Sequence, residues 1–191
     1  MAHLKSLAFF SCMLAGCLFL RTAFLQWASS RREAFWLAAL AVGFLFLGME
    51  EISWGQWFIG WETPATFEGN LQHETNLHNM SFIHFYAHEI GLAVFSIYFV
   101  IIPLIYHGIP MTSPLFDKIG LPIADLSIAA LFATVFILFI RPFSLLYGAS
   151  AGGALNYGEM QEFIYEFCAL LLAYQCWRKA KAHGAYSAAN S

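Results

Sequence analysis

Charge is scarce in this chain. Of 191 residues only 11% are Asp, Glu, Lys or Arg, where a soluble domain carries about a quarter. That scarcity excludes a solvated globular domain and a disordered chain. Basic residues are the smaller share: 9 Lys+Arg against 12 Asp+Glu give net −3 and no basic stripe, which excludes a nucleic-acid binder. Cysteine is also sparse. Cys12, Cys17, Cys168 and Cys176 all sit in apolar stretches, and no pair has C-x-x-C spacing. A disulfide scaffold is therefore excluded, and the thiols read as buried apolar groups. Internal repeats are absent, and the only polar low-complexity stretch follows Lys181. What the chain has instead is apolar bulk, 60% of its residues, with 20 Phe.

Such a composition fits a multi-pass membrane protein. A helix needs about 20 mostly apolar residues to cross the hydrocarbon core. Five segments qualify, at 4–28, 34–59, 84–107, 121–147 and 157–178. The alternating pattern of an outer-membrane barrel is missing, so the spans are helices. The expected fold is all-α: an integral membrane bundle of about five helices with a structured outer loop, residues 1–181 forming one embedded domain and 182–191 a polar tail. Pro103 and Pro142 lie inside spans and predict kinks. Leu14-Ala15-Gly16-Cys17 matches a lipoprotein cleavage box. The apolar run continues through Leu18-Phe19-Leu20 and Phe24-Leu25, however, where a lipoprotein turns polar. The segment therefore reads as a span.

Orientation follows from Lys and Arg. Arg31, Arg32, Lys118, Arg178, Lys179 and Lys181 all fall on one side of a five-span chain, with Lys5 opposite. The positive-inside rule then predicts an extracytoplasmic N-terminus and a cytoplasmic C-terminus. Two loops face out, at about 60–83 and 148–156, and neither contains Lys or Arg. Trp54, Trp57 and Trp61 near one boundary, and Trp27, Trp36 and Trp177 near the other, read as interfacial belts.

Ionisable groups inside spans are costly and mark function or pairing. At 1.5 Å per residue, Glu50 and Glu162 each lie about 22 Å above the inner boundary, Glu159 and Arg141 about 27 Å, and Glu166 about 17 Å. Glu89 and His88 come at about 26 Å and His84 at about 33 Å. Spans two to five thus place ionisable groups in the same outer third. Glu159, Glu162 and Glu166 share one helix face, as do His84 and His88. Glu74 and His78 would share one if their loop were helical. Glu50 and Glu51 are adjacent and point about 100° apart, so at least one enters the bundle. The outer loop is dense in polar side chains from Glu62 to Asn79. It is expected to fold back over the charged layer as an amphipathic or re-entrant segment.

Carboxylates plus imidazoles from several helices are the ligand set of di-iron and di-manganese bundles, and they also hold zinc. The expected metal ligands are Glu50, His78, His88, Glu159 and Glu162, with Glu51 or Glu74 as general base on a metal-bound water. Arg141 would balance charge or hold an anionic headgroup. The metal would be zinc, iron or manganese, and the substrate a lipid or other amphiphile at the outer leaflet. The motifs are incomplete, since E-x-x-H is absent and His73-Glu74-x-x-x-His78 is one residue too long for a zinc helix. The alternative is a buried ion-pair network in a non-catalytic subunit of a larger membrane assembly, its aromatic faces contacting a partner, lipid or pigment.

Two further chemistries are weaker. Gly148-Ala149-Ser150-Ala151-Gly152 fits G-x-S-x-G and looks like the Gly-Ala-Ser motif of rhomboid proteases. No strand precedes it and no later span carries a histidine, so a tight turn is the plainer reading. Proton conduction needs a continuous path, whereas the inner half offers only Asp125 and His107.

One stretch carries a resemblance. Gly48-Met49-Glu50-Glu51-Ile52-Ser53-Trp54-Gly55-Gln56, then Glu62-Thr63-Pro64, then Asn70 to Asn79 reading Asn-Leu-Gln-His-Glu-Thr-Asn-Leu-His-Asn, resembles a family of uncharacterised bacterial multi-pass membrane proteins. The resemblance implies a bacterial inner-membrane location and brings no activity with it.

Overall fold

The computed structural model describes residues 2–136 and 157–189, with side chains for all of these except 2–4, 84–85, 87–88, 157–159 and 184–189. The fold is all-α, an integral membrane bundle; among the described residues the only strand-like pairing is one isolated bridge, Asn70 to Met80. Helix α1 (Ala2–Gln26) turns through Ser29 and Ser30 into α2 (Arg31–Glu51). Ser30 starts α2 as a side-chain cap, accepting from the Glu33 amide, in a Ser-x-x-Glu arrangement. Helix α3 (Ser81–Ser96) passes through a π-helical turn (Ile97–Ile101) into α4 (Ile102–Gly108). The widened turn lies directly before Pro103, which has no amide hydrogen to give the helix. Helix α5 (Ser113–Ile119) is a short connector. It is followed by α6 (Leu126–Val135) and the long α7 (Tyr157–Ala189).

Three helical stretches are long and apolar enough to cross a membrane: Lys5–Gln26, Arg31–Glu51 and Glu89–Gly108. Helix α6 is the start of the expected fourth span, whose remainder lies outside the described residues. Helix α7 continues past the expected end at 178 as far as Ala189, taking in most of the segment read as a polar tail. The second span is shorter than the expected 34–59. It stops at Glu51 because Ser53, Trp54 and Gly55 take positive φ (49°, 57° and 99°), a conformation that ends a helix.

Helix α1 lies at the centre, packed along α2 on one side and α7 on the other. Its buried stripe is Ala8, Cys12, Ala15, Phe19 and Ala23, four or three residues apart. Helix α7 answers with Cys168, Ala169, Leu172, Ala173 and Cys176. Small side chains let membrane helices approach closely, which matters because lipid removes most of the hydrophobic drive. Gly16 shows how close: a Cβ there would come within 2.6 Å of the Leu45 side chain. Beside this seam the aromatic residues turn inward. Phe19 and Phe44 stack at 5.9 Å, Phe95 lies 4.4 Å from Tyr165, and Phe99 lies 5.5 Å from Phe132. This chain of rings joins all the long helices, so part of the aromatic content expected on outward faces is core.

The two ends of the bundle differ. At one end, Arg32 donates to the Lys118 carbonyl (2.6 Å), Trp36 to the Ile119 carbonyl (3.2 Å), and Lys179 pairs with Asp125 (3.1 Å). The loop segments rich in Lys and Arg therefore meet there. Gln175 holds the 123–125 turn onto α7 through both of its polar atoms. The opposite end carries the 52–80 segment.

Candidate functional site

Residues 52–80 fold into a hydrogen-bonded cap over the C-terminal end of α2. The cap is built round two carboxylates. Glu50, only 3% exposed, receives the Trp54 indole N–H on Oε1 (2.6 Å). On Oε2 it receives the Leu77 amide (2.7 Å), the His78 amide (3.2 Å) and His78 Nδ1 (3.5 Å). Glu74 receives the Trp57 indole on Oε1 (3.2 Å), with Lys5 Nζ at 3.7 Å. Its Oε2 takes Ser53 Oγ (3.0 Å) and Asn76 Nδ2 (2.8 Å).

Amide side chains fix the rest. Asn70 Oδ1 accepts from the Gln72 and Glu74 amides, and its Nδ2 donates to the Asn76 carbonyl and to Asn76 Oδ1. Gln56 donates to the Trp61 carbonyl and Thr63 Oγ1 and accepts from the Thr75 amide (2.7 Å). Thr63 Oγ1 donates to the His73 carbonyl. Leu71 and Ser81 amides close the base on the Asn79 and Gly69 carbonyls. Positive φ at Ser53 and Trp54 costs roughly 1–2 kcal/mol each. The bonds from Ser53 to Glu74 and from Trp54 to Glu50 are the compensation.

The segment is not helical between 73 and 78, and His73 itself has φ 56°. Glu74 and His78 therefore do not share a helix face. Asn70 and Asn76 bond the backbone locally, which competes with helix formation.

Beneath the cap is a second group of polar residues. Glu51 points away from Glu50, as expected for neighbours on a helix, and is buried. Glu166 of α7 is 5% exposed and lies beside the buried Cys12 thiol of α1. Its Oε2 is buried with no hydrogen-bond partner. Glu51 and Glu162 lie within electrostatic range of Glu166, and Glu162, Glu51 and Glu50 within range of His78. Burial pushes the His78 pKa down, but its hydrogen bond to Glu50 and the three carboxylate charges outweigh that, so the imidazole is held above the ordinary histidine value. Three elements, α1, α2 and α7, thus bring acids and a thiol together under the cap.

Of the expected site residues, Glu50, Glu51, His78 and Glu162 are brought together, and Glu74 stands in the cap beside them. Arg141, the side chains of His84, His88 and Glu159, and the 148–152 motif lie outside the described residues. Glu89 is exposed on α3. The expectation that Glu50 binds metal and Glu74 acts as a base meets carboxylates whose oxygens already accept from donors. Among the described residues, no group of three or more His, Cys, Asp or Glu is arranged to hold a metal ion. No family model, curated protein or solved structure matches the chain. Three residues matter more than the sequence indicated: Lys5, Asn76 and Glu166. Each had only a general signal: Glu166 its place on the Glu159–Glu162 face, Asn76 its place in the polar Glu62–Asn79 run, and Lys5 its position opposite the other cations.

Proposed function

We propose that this chain is a non-catalytic membrane subunit whose polar residues form a structural network rather than a reaction centre. The observation that carries this reading is how Glu50 and Glu74 are held: every carboxylate oxygen of the pair accepts a donor from the cap, so both groups are fixed as structural acceptors. The cap so held presents Phe58 and Ile59, 74% and 75% exposed, on a single helical turn. That surface suits a neighbouring subunit. The orientation we propose is N-terminus outside and C-terminus cytoplasmic, in a bacterial inner membrane. The grouping of Arg32, Lys118 and Lys179 at the end opposite the cap supports it. A reporter fused after Lys181 should read cytoplasmic, and an outside signal overturns the orientation.

One observation favours a second reading, a metal-dependent enzyme acting on a lipid or amphiphile. Glu166 Oε2 is a buried acceptor without a hydrogen-bond partner, near Glu51 and Glu162. Zinc, iron or manganese are the metals such oxygen and imidazole donors suit. Metal analysis of the purified protein separates the two. No stoichiometric metal, with loss of a stoichiometric partner when Phe58→Ser and Ile59→Ser remove the cap surface, supports the subunit. A stoichiometric transition metal that is lost in folded Glu51→Gln and Glu166→Gln variants overturns it.

A further inference from the structure

At the end opposite the cap, α6 and α7 flank an open cleft of about 540 Å³. Its wall is apolar, formed by Ile128, Leu131 and Leu171, and its rim carries Tyr174, Arg178 and Lys179. We infer that this cleft holds one anionic phospholipid, its phosphate on Arg178 and its acyl chains along the apolar wall.

The charge at the rim decides the headgroup. Asp125 also lines the cleft, but its carboxylate is paired with Lys179 at 3.1 Å. That pair is neutral, and Arg178 sets the net charge. The Arg178 guanidinium lies 5.9 Å from the Tyr174 ring centroid. A guanidinium placed over a ring keeps its in-plane N–H groups for oxygen acceptors, the geometry that suits phosphate. Next to it, Arg21 and Lys181 both lie over Trp177, at 5.8 and 5.2 Å. The rim therefore belongs to a cationic collar with interfacial aromatics. Basic clefts between membrane helices on the positively charged side are suited to anionic headgroups. The apolar wall adds what a free anion would not use. A zwitterionic lipid would fit the wall but not the unbalanced charge.

Native mass spectrometry of the protein in mild detergent, with phosphatidylglycerol, phosphatidylcholine or inorganic phosphate added, tests the inference. Phosphatidylglycerol should be retained roughly tenfold better than phosphatidylcholine, and Arg178→Gln should remove that preference. Leu131→Trp, which fills the cleft without altering charge, should also lose the adduct. Arg31→Gln, a cation removed from the same end but outside the cleft, should retain it. Equal retention by Arg178→Gln and the parent overturns the site. Equal loss in Arg31→Gln reduces it to diffuse surface charge and overturns it too. Displacement of the lipid by inorganic phosphate would identify a free-anion site and also refute the lipid.

Discussion

Glu50→Ala is the substitution that tests the cap most directly. The carboxylate receives two backbone amides, at 2.7 and 3.2 Å, and an indole at 2.6 Å. A hydrogen bond to a charged acceptor contributes about 1.5–3 kcal/mol, so the two amides together are worth about 3–6 kcal/mol. Two effects place the net value at the lower end. Leu77 and His78 are partly open to water, which can replace the lost acceptor. The substitution also removes a buried charge whose desolvation is itself unfavourable. A loss of about 3 kcal/mol remains, which lowers amide protection roughly a hundredfold. Hydrogen exchange read by mass spectrometry on a peptide covering 70–80 measures this. The seam of α1 with α2 serves as the internal control and should keep its protection. Glu50→Gln keeps one acceptor oxygen and should fall between parent and Ala. If the 70–80 peptide in Glu50→Ala keeps protection within about twofold of the parent, the carboxylate does not hold the cap and the structural reading fails.

Three further outcomes follow from the same geometry. His78 is held above the ordinary histidine value, so its pairing with Glu50 stabilises fully below about pH 6.5 and is lost as pH rises through the folded-state value. Protection of the 70–80 peptide should therefore decline with rising pH, and His78→Gln should flatten that dependence. Asn76→Ala deletes a fully buried amide that donates to Ser53 and Glu74 and accepts from Asn70. It should cost about 2–4 kcal/mol, read as a lower thermal midpoint in detergent; an unchanged midpoint counts against the network. Gly120 has φ 77°, and a Cβ there would lie 3.1 Å from the Glu33 amide nitrogen. Gly120→Ala should cost about 1–2 kcal/mol through left-handed strain and loosen the connector from α2, seen as faster exchange at 117–123.

The bundle was legible because lipid leaves few choices. Apolar runs bounded by Arg31, Arg32 and Lys118 gave helices where α1, α2 and α3 to α4 now stand. Depth counting was also sound in principle, since a rigid rise per residue does not depend on neighbours. It put Glu50 and Glu162 at one depth with Glu166 a turn deeper, and Glu51 and Glu162 lie within electrostatic range of Glu166. What it could not supply was direction. Glu50 and Glu51 differ by one residue, yet one faces the cap and the other the seam of α1 with α7. The cap itself was legible only as polar density. Whether Asn70 or Asn76 pairs with Glu74, Ser53 or water depends on a tertiary arrangement that no local period encodes. The end of α2 departs from the apolar pattern for a related reason. Trp54, Trp57 and Phe58 continue an apolar pattern, but the indoles are spent on carboxylates rather than on lipid.

The position of Lys5 explains how the cap coexists with the charge asymmetry of the chain. It is the cation expected on the extracytoplasmic side, against six on the other. At the cap its charge does not stand alone: Gln72 accepts from it at 3.0 Å, Glu74 lies at 3.7 Å, and the Trp57 ring at 5.1 Å. Those contacts tie the N-terminal turns of α1 to the cap, while Glu50 ties the cap to α2. Helices α1 and α2 are thus joined twice, by small-residue packing through the bilayer and by polar contacts at its surface. Cys12 and Glu51 lie between those two attachments. Loosening the cap should therefore shift the outer turns of α1 and α2, which carry Cys12 and Glu51, against Glu166 beside them. A variant of Lys5 or Glu74 that alters the reactivity of Cys12 toward a small thiol reagent would show this coupling directly, and no change in reactivity would show that the buried group stands independently of the cap.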